Sequence, residues 1–273
     1  MLSIDLTWRQ YFEDHHEGLG TTYERFILHQ YFERIKGKYS VQNILEAPSF
    51  GMTGISGINS MWWAAQGVPV TLMDDNEKRL ELIAHVWKDI RLEVEMVFGK
   101  DFDSLPFSNN YFDLSWNFAA LRFVPDLNRF LEELTRVTRK VIFICVPNMW
   151  GIAHVVTRFA LGKKGETTPI RPESLVAIME RLKWQTKERG YLDVPPWPDI
   201  AMKKEEFLKA IGLKRLAEAF ERGNGEGVSI LDYFSGKHGG LDKDILKYSF
   251  LENSPTIFKR FWAHHHYLIF TPK

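Results

Sequence analysis

Several features are scarce in this sequence, and each scarcity removes a class of protein. The 273 residues contain a single cysteine, Cys145, so neither an intrachain disulfide nor a cysteine-rich zinc site can form. The 35 basic residues balance the 35 acidic ones, whereas a protein that wraps nucleic acid usually carries an excess of lysine and arginine. We therefore expect no nucleic-acid partner.

Long apolar runs are also missing. No stretch approaches the roughly 18 uncharged apolar residues of a membrane span, and the nearest candidate, residues 150–161, is interrupted by His154 and Arg158. The start of the chain reaches Arg9 without an apolar core, which disfavours a secretory signal. These observations predict a cytoplasmic protein with no membrane span.

The sequence does contain a regular alternation of apolar and amphipathic segments. The predicted strands are residues 43–47, 68–73, 93–98, 112–117 and 140–146, and the predicted helices between them are 60–66, 77–89 and 128–138. Such an alternation implies parallel pairing through right-handed crossovers. The last of these strands is apolar throughout, as expected of a strand covered on both faces. We therefore expect an α/β, doubly wound fold.

The remaining segments predict the domain organisation. Residues 1–40 contain an amphipathic helix and are interpreted as an N-terminal helical cap. The core comprises residues 41–198 and 261–273, because a further strand is predicted near the end of each part. Residues 199–260, which carry two glycine clusters, are then a helical insertion within the same domain, interpreted as a lid or substrate-recognition segment.

Ligands of open α/β sheets bind beyond the carboxyl ends of the strands. After the first predicted strand, Gly51 and Gly54 would let the backbone approach a ligand. After the second stands Asp74, where a carboxylate can accept both hydroxyls of a ribose. After the third come Asp101 and Phe102; the carboxylate suits the amine of an adenine and the ring suits its face.

The segment after the third strand is the most specific part of the sequence. Leu105 to Phe107 leads through a short polar turn to Phe112 to Leu114, which opens the fourth strand. This order resembles small-molecule class I S-adenosylmethionine-dependent methyltransferases, and most closely the branch that methylates quinone precursors. The resemblance covers roughly residues 41–148. It implies a mostly parallel, seven-stranded Rossmann-like sheet with an antiparallel last strand, S-adenosyl-L-methionine as cofactor, and a small-molecule methyl acceptor.

The resemblance also assigns roles by position. Glu46 and the loop that contains Gly51 and Gly54 would surround the methionine part of the cofactor, and Asn117 would lie near its sulfonium. The ribose and adenine positions coincide with those that the topology predicts.

The first loop departs from the family pattern. The family usually has glycines two, four and six residues after the acid, where this chain has Pro48, Phe50 and Met52. Two other hypotheses therefore stay open. A nicotinamide-dependent oxidoreductase shares the strand–loop–helix order, but it predicts a Gly-x-Gly-x-x-Gly loop that this sequence lacks. A cofactor-binding relative without catalysis is favoured by the altered loop.

The sequence offers three candidates for acid–base or substrate-binding roles. A sulfonium methyl is already activated, so a general base is needed only if the acceptor must lose a proton. Tyr23 precedes the first strand, where this family often folds a helix over the cofactor. Arg122 follows the fourth strand and suits an anionic substrate better than proton removal. His154 follows the fifth strand.

A run of three histidines, His264 to His266, raises the question of a metal site. In a strand only His264 and His266 share a face, and the sequence shows no third ligand. We therefore expect no bound metal.

Overall fold

The computed structural model describes residues 8–13, 15, 17–50, 54–151, 170–195 and 229–273. The strands are β1 (Ile44–Glu46), β2 (Val70–Asp74), β3 (Glu95–Phe98), β4 (Phe112–Phe118), β5 (Thr138–Pro147), β6 (Trp184–Leu192) and β7 (His265–Pro272). They form one seven-stranded sheet in the order β3-β2-β1-β4-β5-β7-β6. Strands β1 to β5 pair in parallel, and β7 is antiparallel to both β5 and β6. The predicted sheet, with its antiparallel last strand, is confirmed.

Helices flank the strands. They are α1 (Gln10–Glu13), α2 (Gly18–Tyr39), α3 (Met61–Ala65), α4 (Glu77–Ile90), α5 (Leu127–Val137), α6 (Pro172–Arg181), α7 (Ile230–Phe234), α8 (Leu241–Leu246) and α9 (Thr256–Trp262), with 3-10 turns at Leu121–Phe123 and Ser249–Asn253. Among the described residues, no helix is long and apolar enough to cross a membrane. Residues 152–169 and 196–228 lie outside the description, so the predicted division into cap, core and insertion stays a prediction.

The sheet separates two apolar layers. Every residue of β4 is buried, because helices cover both faces of the central strands. On one face, Phe32 of α2 packs against Trp63 and Trp116, at ring-centroid distances of 5.3 and 4.7 Å. On the other face, α5 and α6 cover an apolar cluster that includes Phe130 and Met179. These layers fix the strand ends that carry the candidate site.

The Leu-Pro-Phe turn is held in place by α5. The backbone N–H of Leu105 donates to Glu133 Oε2 at 2.8 Å. Arg136 donates to the carbonyl oxygens of Leu105 and Phe107 at 2.9 and 2.7 Å. These side-chain bonds satisfy backbone groups that have no strand partner. The Leu-Pro-Phe turn, which is the most specific part of the sequence pattern, therefore anchors the β3–β4 connection to α5.

The functional candidates that follow strands lie at one edge of the sheet. The carboxyl ends of β1, β2, β4, β5 and β6 lie at this edge. The start of the antiparallel β7 lies there too, because His265 pairs with both Pro147 and Leu192. The first turns of α2 reach the same edge, where Arg25 contacts Ile55 beyond β1.

Candidate functional site

Asp74 is the last residue of β2 and is fully buried. Its carboxylate accepts four hydrogen bonds from the chain itself. The donors are Ser49 Oγ at 2.6 Å, the backbone N–H of Asn76 at 2.9 Å, Arg79 Nε at 3.0 Å and Arg79 Nη2. An ionised carboxylate has about four acceptor positions. A ribose could therefore bind Asp74 only if Ser49 or Arg79 moved away from it.

Arg79 belongs to a series of stacked cations and aromatic rings along this edge. Its guanidinium carbon lies 3.9 Å from the ring centroid of Phe50. The rings of Phe50 and Phe123 are 4.6 Å apart, and Arg122 lies 4.6 Å from the Phe123 centroid. The contact between the Phe50 and Phe123 rings joins the loop after β1 to the 3-10 turn after β4, with a cation–π contact on each ring. The predicted anion-binding residue Arg122 thus lies at the same edge as Asp74.

Glu46 ends β1 in a buried, largely apolar position. Ser60 Oγ donates to Glu46 Oε2 at 2.5 Å and accepts from Trp116 Nε1 at 3.0 Å. Burial raises the pKa of Glu46 to about 8, and the bond from Ser60 offsets this effect only in part. At neutral pH the carboxyl group therefore holds a proton and can donate a hydrogen bond.

Asn117 lies in the neighbouring strand β4 and is fully buried. Its Nδ2 donates to the carbonyl oxygen of Ala47 at 3.4 Å. Its Oδ1 accepts no hydrogen bond from any residue that the structure describes. A buried acceptor without a donor is costly, and such atoms usually await a ligand or water. The amino group of a methionine moiety is a donor of the required kind, so Asn117 fits the predicted cofactor.

The loop after β1 is fixed by an ion pair of the N-terminal helix. Gly54 has a φ of +59°, and a Cβ atom there would collide with Glu17 Oε1. Glu17 accepts from the backbone N–H of Ile55 at 2.6 Å, and Arg25 pairs with Glu17 and donates to the Ile55 carbonyl at 2.9 Å. Glycine is therefore required here for packing against α2. Gly51 lies outside the described residues, and a cofactor role for either glycine stays a prediction.

The two adenine candidates after β3 occupy different environments. Asp101 is exposed, and its Oδ1 accepts from the backbone N–H of Asp103 at 3.2 Å. Phe102 is 1% exposed and packs edge-on against Phe130, with 5.7 Å between centroids. Asp101 is therefore accessible to a ligand, whereas Phe102 is part of the core. An adenine contact by either residue stays a prediction.

Tyr23 of α2 is buried near the other end of the edge. Its hydroxyl lies 3.2 Å from the carbonyl oxygen of Val194 and 3.2 Å from Glu252 Oε1. Burial, followed by the charges of Glu252 and Asp193, raises the pKa of Tyr23 far above its ordinary value. The hydroxyl therefore keeps its proton, which favours a positioning role over that of a base. The remaining candidate, His154, lies outside the described residues.

A second group of buried ionisable side chains lies beside Tyr23. His264 Nδ1 is 2.7 Å from Asp193 Oδ2. His265 Nδ1 is 3.7 Å from Asp193 Oδ2 and 3.8 Å from Glu24 Oε2. His266 instead contacts the ring of Tyr191, with centroids 4.3 Å apart. His265, and not the same-face pair of His264 and His266, thus lies near two carboxylates. The expectation of no bound metal stays a prediction.

A sequence signal for this second group did exist. Asp193 directly follows β6, as Asp74 ends β2. The rule that selected Asp74, a carboxylate at the carboxyl end of a strand, also applies to Asp193. Glu24 could not be found in this way, because it reaches the group from α2, which is distant in sequence.

The comparisons with known proteins agree with this geometry. Residues 51–144 match the family model described as a methyltransferase domain, while the sequence has no match among curated proteins. A methyltransferase from Archaeoglobus fulgidus, described as dependent on S-adenosylmethionine, has a TM-score of 0.53 at 13% identity, over 91% of this chain and 94% of that one. The YcgJ protein from Bacillus subtilis has a TM-score of 0.51 at 13% identity, over 90% and 97%.

A putative sarcosine dimethylglycine methyltransferase from Galdieria sulphuraria is similar to the same degree, with a TM-score of 0.51 at 13% identity over 89% of this chain and 82% of that one. At such identities the likeness shows the fold, which is the Rossmann-like methyltransferase fold. Taken with the family match over residues 51–144, it supports a class I S-adenosylmethionine-dependent methyltransferase domain. The quinone-precursor branch stays a prediction.

Proposed function

We propose that this protein binds S-adenosyl-L-methionine at the ends of β1 and β4 and methylates a small-molecule acceptor. The observation that carries the proposal is the pair formed by Glu46 and Asn117. Both side chains are buried at adjoining strand ends of the matched fold, and Asn117 Oδ1 has no donor among the described residues. When bound, the cofactor supplies a methyl group that is already activated for displacement.

The chain would contribute binding, orientation and exclusion of water. Asn117 would accept from the amino group of the methionine part, and the protonated Glu46 would donate a hydrogen bond nearby. Asp101 would accept from the adenine amine, since its carboxylate is exposed. Asp74 would bind the ribose once Ser49 or Arg79 no longer donates a hydrogen bond to its carboxylate.

The acceptor side is proposed on less specific grounds. Arg122, at the same edge, would attract an anionic group of the acceptor. A small metabolite of the quinone-precursor kind is inferred from the sequence resemblance alone, as is the cytoplasmic address. Residues 199–260, of which 199–228 lie outside the described residues, are proposed as a lid or substrate-recognition segment.

Binding of the demethylated cofactor tests the proposal directly. Isothermal titration calorimetry of the purified chain should show saturable binding of S-adenosylhomocysteine and none of NADH. Asn117→Leu should weaken S-adenosylhomocysteine binding by about tenfold or more, since the change removes a buried hydrogen-bond partner. Asn128→Leu, at an exposed position of α5, is the matched control and should bind as the wild type does.

Two outcomes would contradict the proposal. Absence of S-adenosylhomocysteine binding would reject the cofactor. Binding without turnover, when S-adenosylmethionine is offered with a panel of phenolic, amine and carboxylate acceptors, would favour a non-catalytic relative. The four chain-derived bonds to Asp74 are the observation that keeps this second candidate in view.

A further inference from the structure

Three elements bring buried metal-ligating side chains to one point beyond the sheet edge. Glu24 comes from α2, Asp193 directly follows β6, and His265 opens β7. One ligand atom from each lies within 4.8 Å of the others. Glu24, Asp193 and His265 are 3%, 1% and 5% exposed. The group is thus assembled by the tertiary fold and shielded from bulk water.

Two atoms of this group lack hydrogen-bond partners among the described residues. His265 Nδ1 and Asp193 Oδ1 are both buried and make no hydrogen bond within the part of the chain that the structure describes. Buried polar atoms are nearly always paired with protein, water or an ion. An imidazole nitrogen and a carboxylate oxygen left in this state together indicate that a further species belongs between them.

The separations suit an ion better than a hydrogen bond. His265 Nδ1 lies 3.7 and 3.8 Å from the two carboxylate oxygens, beyond hydrogen-bonding distance. Two ligands that each bind a metal at about 2.0–2.2 Å stand roughly 3.3–3.8 Å apart at bond angles between tetrahedral and trigonal. A cation between the three side chains would therefore reach all of them with little movement.

The surroundings support such a cation. The pair of buried carboxylates faces imidazoles, and Glu252 adds a further acid next to Tyr23. Buried carboxylates require a compensating cation or proton. His264 Nδ1, 2.7 Å from Asp193 Oδ2, would orient that ligand, as outer partners of metal sites commonly do.

From these observations we propose that Glu24, Asp193 and His265 bind one divalent first-row transition-metal ion. An imidazole with two carboxylates suits Zn²⁺ and its neighbours, whereas Ca²⁺ and Mg²⁺ prefer oxygen ligands only. The Phe118 ring lies 4.4 Å from His265 and follows Asn117 in β4. The ion would thus lie at the same edge of the sheet as the proposed cofactor position. Metal binding itself does not depend on the proposed function.

The test uses the full chain, stripped of metal with a chelator and titrated calorimetrically with Zn²⁺. The wild type should bind one ion that His265→Ala and Asp193→Asn weaken by ~100-fold or more, beyond the ~10–100-fold typical of losing an outer partner. His266→Ala, the matched control on the same strand, should bind as the wild type does. Mg²⁺ should not compete.

Folding and surface histidines are controlled separately. Circular dichroism of each metal-free variant checks its fold, and His265→Gln offers a second substitution of similar size. Co²⁺ in place of Zn²⁺ should give visible absorption bands that only the His265 and Asp193 variants lose. Absence of a saturable Zn²⁺ site in the wild type would overturn the proposal. Equal binding by wild type and His265→Ala would overturn it too, since surface histidines would then account for the signal. S-adenosylhomocysteine binding, measured in parallel, distinguishes either result from failure of the proposed function.

Discussion

Two buried carboxylates lie at the same edge of the sheet and differ in how the chain satisfies them. Asp74 receives four hydrogen bonds, two of them from Arg79. Asp193 receives one close contact, from His264, and its Oδ1 has no partner among the described residues. The first carboxylate is part of the scaffold as it stands, whereas the second is left available for a ligand.

This difference shows what a strand-end carboxylate does and does not indicate. Position alone predicts a ligand-binding acid in both places. Whether the acid is free to bind depends on its neighbours, and Arg79 reaches Asp74 from the first turn of α4. The residues that the family pattern marks most clearly are thus also those that the fold uses for its own stability.

The largest effect is expected from removing Asp74. Asp74→Ala would leave the guanidinium of Arg79, which is 6% exposed, without its buried partner. Such a loss typically costs about 3–5 kcal/mol in the free energy of unfolding. Urea denaturation measures it, and Glu81→Ala, at an exposed position of the same helix α4, should change stability by no more than ~0.5 kcal/mol. Equal effects of the two changes would show that Asp74 contributes no more to stability than an exposed acid does. The contrast between a satisfied Asp74 and an available Asp193 would then lose its basis.

In the second region, replacing a buried carboxylate is expected to increase the free energy of unfolding rather than decrease it. Burial raises the pKa of Glu252 from 4.5 to about 7, only partly opposed by the hydrogen bond from Val194. As pH rises from about 4.5 to 7, the unfolded chain loses this proton first, so the folded state is progressively destabilised. In metal-free protein, Glu252→Gln should therefore stabilise by about 1–3 kcal/mol at pH 8.5 and have little effect at pH 4.5.

Thermal denaturation of wild type and variant across this pH range provides the measurement. A Glu252→Gln variant less stable than the wild type at pH 8.5 would show that the second region needs its negative charge, as the first does. Glu46→Gln is the corresponding change at the end of β1, where burial raises the pKa to about 8.

The smallest effect on stability is expected at Asp101. This carboxylate is exposed, so Asp101→Asn should change the free energy of unfolding by less than ~0.5 kcal/mol. If it accepts from the adenine amine, the same variant should bind S-adenosylhomocysteine about tenfold more weakly. Paired denaturation and calorimetry separate the two quantities. Unchanged affinity would exclude Asp101 from the binding site and leave Asp74 to be tested after Arg79 is replaced.

Much of the fold could be predicted from the sequence. Helix α4 and strand β4 each differ from their predicted bounds by one residue. The reason is that local sequence patterns, namely apolar runs and helical periodicity, are sufficient to predict these elements. Strand β5 starts two residues earlier than predicted, because α5 ends at Val137 and Thr138 pairs at once with Phe112.

The candidate site was predicted less completely. Glu46 and Asn117 lie at adjoining strand ends, as the order of the strands requires. The burial of Phe102 and the pairing of Asp74 with Arg79 were not foreseen. Both depend on which side chains from other elements arrive at the same place.

By itself, the sequence determined the α/β class and the alternation of strands and helices, because local periodicity encodes both. It also indicated the methyltransferase family, through a contiguous motif. Only the tertiary structure decided which acids are satisfied. Glu24, Asp193 and His265 are separated by more than 70 residues at each step, and no spacing rule connects them. The fold brings them within 4.8 Å because β6 and β7 end and begin at one edge, beside the first turns of α2.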